Sequence, residues 1–334
     1  MGSVKIETVE MHTGGEPTRI IVEGYPRLTG ATLLQKRREA AEQHDGLRRL
    51  LMREPRGHRE MYGALLVEPD LQGADLAVLF LHNEGYSTMC GHAVLALGRY
   101  AVDRGLVAAR EPETEVRIQC PCGLVVVAVS VFEGKAGAAR FTSVPAFALG
   151  LDISIATEAW GEVPLDLAYG GAFYAILPAE RLGLDLLATP VARLAEAAAA
   201  LTKATAAQCA VSHPLEPDLS FLYGTILTDG EPGQPPAASR NICVFAGEQV
   251  DRSPTGSGVT ARLALMHARG EAAVGERRLF ESVVGSRFAA SIVEETSLAG
   301  HRAITVAVEG KAHYMGEGRF TLEEDDPFPE GFLV

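Results

Sequence analysis

Residues 90–105 read "CGHAVLALGRYAVDRG", and residues 255–270 read "TGSGVTARLALMHARG". Aligned at an offset of 165 (255 − 90), Gly91 falls on Gly256, Val94 on Val259, Ala96 on Ala261, Arg104 on Arg269 and Gly105 on Gly270. The offset is close to half of the 334-residue chain. Each segment opens on small residues, stays apolar for the length of a helix and ends on a glycine suited to the left-handed position that closes one. These shared limits, more than the scattered identities, predict a duplicated α/β unit. "AVLALGRYAV" is apolar nearly all round, as a helix buried within a wrap of strands must be.

Short Val-, Ile- and Phe-rich runs surround both segments: "GALLVEP", "LAVLFLH", "VRIQCPCGLVVVAVSVF", "AFYAILP", "FLYGTILTDG", "NICVFAG", "RAITVAVEG" and "GRFTLEE". Bounded by Gly, Pro and Asp, they read as strands, and "CGLVVVAVSVFEGKAGAARF" reads as a hairpin turning near Gly134–Lys135. Helices are expected at 31–53, 91–104, 190–206 and 256–269. The expected class is therefore α+β with a mostly antiparallel sheet. A seam near 143–165 divides a first unit, 1–150, from a second, 151–318, and the last strand, 319–334, folds back onto the first.

A formal net charge of −13 argues against a nucleic-acid partner, because phosphate binding needs clustered Lys and Arg. No apolar run approaches the ~20 residues that span a bilayer, and the start lacks a basic-then-apolar signal pattern. Five cysteines, an odd number in a chain of this size, suggest free thiols in a reducing cytoplasm. "CPCG" (120–123) is C-x-C without a second pair, which argues against zinc. Cys209 and Cys243, in apolar contexts, read as small buried hydrophobes.

The chemistry concentrates at the two helix starts. The first-turn N–H groups of a helix lack intrahelical partners and carry partial positive charge. Gly91, His92, Gly256 and Ser257 could thus hold a small carboxylate. Cys90 stands at the first start, where the helix end stabilises a thiolate able to serve as base or nucleophile; the plainer reading is an inert buried thiol. Thr255 stands at the matching point of "DRSPTGSG" (251–258), where a hydroxyl is a good cap but a poor base. One thiol and one hydroxyl suit proton abstraction from a single face, not racemisation. Asp251 could accept hydrogen bonds from a substrate ammonium, or merely shape a turn or pair with Arg252.

With "MHTGGEPTR" (11–19), "MCGHA", "YGGAFYA" (169–175) and "DRSPTGSG", the chain resembles the proline racemase superfamily over nearly its whole length. Its long unbroken segments, among them "LFLHNEGYSTMCGHAVLALGRYA" and "NICVFAGEQVDRSPTGSGVTAR", are most similar to the trans-3-hydroxy-L-proline dehydratases, whereas racemases and epimerases carry Cys where this chain has Thr255. The resemblance implies two pseudo-symmetric units of the diaminopimelate epimerase type, each a curved sheet around a central helix, with the active site between them. It implies a reaction without metal or organic cofactor: Cys90 as the proton acceptor, Gly91, His92, Gly256 and Ser257 on the substrate carboxylate, and Asp251 on the ring nitrogen. The expected partner is a small imino acid, with no nucleic acid or membrane; a homodimer would be compatible. The competing readings are a proline or hydroxyproline epimerase and an inactive binding protein of the same fold.

Elsewhere, His12 could line a cleft or support a turn, and His58 reads as a structural histidine or part of a substrate-facing loop. The Ala-rich 194–208 stretch reads as a packed or surface helix, and "EEDDP" (323–327) as a solvated turn.

Overall fold

A computed structural model describes residues 4–334. The chain divides into two compact units, the first running to Ala139 and completed by Lys311–Val334, the second spanning Arg140–Gly310.

In the first unit, strands Val4–Thr13 and Glu16–Glu23 form a hairpin, and Ala312–Leu322 pairs antiparallel with the other edge of Val4–Thr13. Its turn is Gly14–Gly15, with φ of 61° and 92°, values a two-residue hairpin needs at both positions and glycine adopts without strain. Two helices follow, then strand Gly63–Val67, parallel to Glu16–Glu23. Leu76–Leu81 pairs antiparallel with Gly63–Val67, and the short Tyr86–Ser87 pairs with Leu76–Leu81. The helix Gly91–Asp103 then crosses over to Glu113–Cys120, which runs parallel to Leu76–Leu81 and antiparallel to Gly123–Phe132.

The second unit repeats this order. Phe147–Thr157, Gly161–Tyr169 and Phe173–Pro178 pair antiparallel in succession. Helix Val191–Gln208 crosses over to Leu222–Thr228, parallel to Phe173–Pro178. Ser239–Phe245 and the short Gln249–Asp251 follow antiparallel. Helix Gly256–Ala268 leads to Arg277–Glu281, parallel to Ser239–Phe245, and Arg287–Leu298 and His301–Gly310 complete the unit antiparallel. The duplication predicted from two helices thus extends to the strand pairing, down to the short strand before each central helix, with two differences: the first crossover holds two helices where the second holds one, and the outer strand of the first unit comes from the end of the chain.

Both central helices are buried on nearly every face, as their apolar circumference requires. Leu95, Leu97 and Leu263 have no exposed surface, and burying each such side chain contributes about 1.5–3 kcal/mol. Packing is close: a Cβ at Gly98 would lie 2.6 Å from Val127 Cγ1. At Gly170, in "YGGAFYA", a Cβ would lie 2.2 Å from the Ser257 carbonyl oxygen, so only glycine lets that turn lie against the start of the second helix.

Three expectations need correction. The 31–53 stretch is two helices, Leu33–Gln43 and Asp45–Met52, broken at His44 (φ −130°, ψ 14°). Asp45 restarts the helix from its first turn, where its carboxylate pairs with Arg48 at 2.6 Å and Arg49 at 3.1 Å. Cys209 is only half-buried at the end of Val191–Gln208, unlike the fully buried Cys243. In "EEDDP", Asp326 is an anchor as well as a turn residue: it pairs with Arg56 and accepts the Phe328 N–H. Among the described residues, no helix is long and apolar enough to cross a membrane.

Candidate active site

The helix start at Cys90 is built from three elements of the first unit. Cys90 is the N-cap residue in extended conformation (φ −146°, ψ 105°), and its Sγ accepts the Ala93 N–H at 3.4 Å. The sulfur is therefore turned into the partial positive charge of the helix end, the setting that favours thiolate. His92 follows in the first turn, its ring nitrogens 3.2 Å (Nδ1) and 3.5 Å (Nε2) from Cys90 Sγ. The Thr13 hydroxyl, beside the Gly14–Gly15 turn, donates to the His92 carbonyl at 2.9 Å. "MHTGGEP" thus fastens the hairpin to the helix start. His12 does not enter this contact; it stacks on His313 at 5.2 Å and accepts the Gly15 N–H. His58 likewise serves its own turn, accepting the Glu60 N–H.

Tyr62 packs its ring edge-on against His92 at 4.9 Å and lies 6.2 Å from His82. Burial, reinforced by Arg48 and Arg37, holds the His82 imidazole down to about 3. Between pH 6.5 and 3 the unfolded chain therefore binds a proton at His82 that the folded chain refuses, so stability falls as pH drops, by about 1.4 kcal/mol per pH unit from this group. Melting temperatures measured from pH 7 to 4 are expected to fall less steeply in His82→Asn than in wild type; equal slopes would place the acid sensitivity elsewhere.

"CPCG" forms the turn between Glu113–Cys120 and Gly123–Phe132, and the Cys122 N–H donates to the Thr88 carbonyl at 3.1 Å. Cys120 lies buried within the electrostatic reach of Cys90; burial pushes its thiol well up, with Cys122 and Cys90 acting in the same direction. Cys120 is accordingly a poor competitor for the role of thiolate.

The second helix start is built differently. Asp251, 4% exposed, ends strand Gln249–Asp251, and its Oδ1 accepts the Ser253 N–H at 2.7 Å. Ser253 Oγ accepts the Thr255 N–H at 3.1 Å, and the Thr255 carbonyl accepts the Val259 N–H at 2.7 Å. This relay holds Thr255 at φ 64°, ψ 90°, a left-handed conformation that costs a β-branched residue on the order of 1–3 kcal/mol. Thr255 is not the capping hydroxyl its type suggests: it makes no cap hydrogen bond, and its buried Oγ1 finds no partner among the described residues. Strain and an unpaired hydroxyl together mark a position shaped for something other than folding.

The motif is braced from below by Arg262, which sequence reasoning passed over although it is a lone cation in a buried helix. Its guanidinium donates to Asn241 Oδ1 at 3.0 Å and to Ser239 Oγ, and lies over the Phe280 ring at 4.8 Å. Asn241 in turn donates through Nδ2 to the Pro254 carbonyl at 3.2 Å. Burial pulls the Arg262 guanidinium down to about 10, against the opposing pull of Asp229.

Tyr174, in "YGGAFYA", was also missed. Its hydroxyl and Ser257 Oγ share a buried hydrogen bond of 2.7 Å, and burial pushes the phenol well above its usual range. Tyr223 packs edge-on against Tyr174 at 5.7 Å and is stacked on Phe245 at 5.1 Å. Tyr174→Phe removes the partner that fixes Ser257, and a net hydrogen bond of about 1 kcal/mol corresponds to roughly a fivefold change. We expect KM to rise about that much with kcat little altered. Steady-state kinetics check this; a fall in kcat at constant KM would contradict it.

The structure therefore brings Cys90, Gly91 and His92 together at one helix start, and Asp251, Thr255, Gly256 and Ser257 at the other. The fold and these starts define a class: a duplicated α/β protein with a thiol at one helix N-terminus and a hydroxyl at the matching one. Residues 8–333 match the proline racemase family model. The chain is 52% identical over 325 residues to a trans-L-3-hydroxyproline dehydratase of Saccoglossus kowalevskii, covering 97% of this chain and 100% of that one. It is 52% identical over 338 residues to the human trans-3-hydroxy-L-proline dehydratase, covering 100% of this chain and 96% of that one. The crystal structure of a hydroxyproline epimerase from Agrobacterium vitis with bound trans-4-OH-L-proline superposes with a TM-score of 0.93 at 30% identity, covering 99% of this chain and 95% of that one. The chain belongs to the proline racemase family.

Proposed function

We propose that this protein is a hydro-lyase that converts trans-3-hydroxy-L-proline to 1-pyrroline-2-carboxylate, using Cys90 as its one base. The observation that carries the mechanism is the mismatch of the two helix starts. Cys90 presents a sulfur to a helix N-terminus, whereas Thr255 presents a hydroxyl, which stays protonated near neutral pH and is a poor base.

In trans-3-hydroxy-L-proline the hydroxyl and carboxylate lie on opposite ring faces, so the Cα hydrogen shares a face with the hydroxyl. A base on that face takes the proton, and the adjacent C3–O bond breaks. The first product is an enamine acid, which tautomerises to 1-pyrroline-2-carboxylate. We assign the N–H groups of Gly91, His92, Gly256 and Ser257 to the substrate carboxylate, where they stabilise charge that grows as the proton leaves. Asp251 is assigned to the ring ammonium.

The reading is tested by incubating the purified protein separately with trans-3-hydroxy-L-proline, trans-4-hydroxy-L-proline and L-proline, following product by ketimine trapping and optical rotation. Dehydration of the first without inversion of the other two is expected. Racemisation of proline without dehydration would sink the reading, and binding without turnover would favour an amino-acid-binding protein. The free cysteines fit a cytoplasmic setting, and a homodimer is compatible with this reading.

A further inference from the structure

We infer that the His92 side chain is the acid that protonates the departing C3 hydroxyl, and that Cys90 recharges it. The inference rests on the dehydratase reading above and adds to it the group that completes the elimination.

Two facts carry it, one geometric and one stereochemical. The His92 ring lies within 3.2 Å of Cys90 Sγ through Nδ1, with both residues buried. Its placement is held at both ends, by Tyr62 against the ring at 4.9 Å and by the Thr13 hydroxyl on its carbonyl at 2.9 Å. In the trans substrate the proton to be removed and the hydroxyl to be expelled are on the same face and on adjacent carbons. A base within about 3–3.5 Å of Cα is therefore also close to the hydroxyl oxygen, and so is a ring in contact with that base.

The cycle balances without any further reactant. It begins with Cys90 as thiolate and His92 as imidazolium, the pairing by which a histidine activates a cysteine. The thiolate takes the Cα proton and becomes a thiol, leaving the electron pair on Cα. That pair forms the C2–C3 double bond as the C3–O bond breaks, and the imidazolium gives its proton to the oxygen, which leaves as water. The Cys90 thiol then passes its proton to the neutral imidazole, restoring the ion pair.

The test separates the acid from the base by changing the leaving group. Fluoride departs without a proton, so trans-3-fluoro-L-proline needs the base alone. In His92→Gln both reactions lose the support that the imidazolium gives the thiolate, and dehydration of trans-3-hydroxy-L-proline is expected to fall roughly a further 10²–10⁴-fold beyond fluoride release from the fluoro compound, the usual contribution of a positioned acid. An equal loss on both substrates would overturn the inference, since it would mean that His92 serves only the thiolate or the fold. Unchanged dehydration would overturn it too and leave the Cys90 thiol as its own acid. Should the variant not fold, the wild-type pH profiles decide. Dehydration must lose rate at high pH while fluoride release holds its plateau, and parallel profiles would contradict the acid. Wild-type protein that does not dehydrate trans-3-hydroxy-L-proline at all would defeat the dehydratase reading itself, a result distinct from each of these.

Discussion

Cys90→Ser is expected to lower dehydration of trans-3-hydroxy-L-proline by about 10³-fold or more, with the fold retained. A serine hydroxyl has nearly the size of the thiol and can still accept the Ala93 N–H now held by Sγ at 3.4 Å, so the helix start keeps its cap. Stability should change by about 1 kcal/mol or less, the range of substitutions that leave packing and pairing in place. Basicity is what is lost. A helix N-terminus brings a thiol within reach of neutral pH but leaves an aliphatic alcohol protonated, and a positioned base contributes about 10²–10⁴-fold. Steady-state kinetics beside a thermal melt separate the two effects. Substantial residual turnover in a folded variant would remove Cys90 as the base, and the nearby Cys120, whose thiol burial pushes up, would not replace it.

Thr255→Cys is expected to confer inversion at Cα, detected with trans-4-hydroxy-L-proline as the appearance of its C2 epimer. A thiol at Thr255 would stand at a helix start in register with the one behind Cys90, 165 residues earlier (255 − 90). The backbone there is already shaped: the Asp251–Ser253 relay holds residue 255 at φ 64°, and the present Oγ1 makes no hydrogen bond that the sulfur would have to replace. We expect epimer formation to rise about 10²-fold over wild type, the lower end of what a positioned proton-transfer group contributes. Chiral chromatography of the recovered amino acid reads the result. No detectable inversion in a folded variant would mean that something besides the second thiol decides between elimination and inversion.

How much of this was legible in the residues depends on the range of the forces involved. The two central helices were legible because apolar periodicity and a terminal glycine are local signals, and the duplication followed from their spacing. The break at His44 was carried only by a short signal, the Asp45–Gly46 turn dipeptide inside a longer helical pattern, and the restart is fixed by Asp45 pairing with Arg48 and Arg49. Cys90 and Thr255 could be placed at helix starts from sequence, but not the difference between their backbones. Cys90 is an ordinary extended cap, whereas the left-handed turn at Thr255 is imposed by Ser253, Asp251 and, through Asn241, Arg262. Tyr174 lay in view within "YGGAFYA", but its bond to Ser257 spans 83 residues, and no local pattern reports such a contact. The contact of His92 with Cys90 was closer to hand, since the two residues are near neighbours; what the sequence lacked was the packing of Tyr62 against the ring and the bond from Thr13 to the His92 carbonyl, both made by residues distant in the chain.

The central claim is one-base elimination, and one substrate offers both outcomes. Purified wild-type protein incubated with trans-3-hydroxy-L-proline and followed by proton NMR is predicted to yield 1-pyrroline-2-carboxylate with no cis-3-hydroxy-D-proline at any time. Accumulation of cis-3-hydroxy-D-proline, the product of proton return to the opposite face of Cα, would contradict the account.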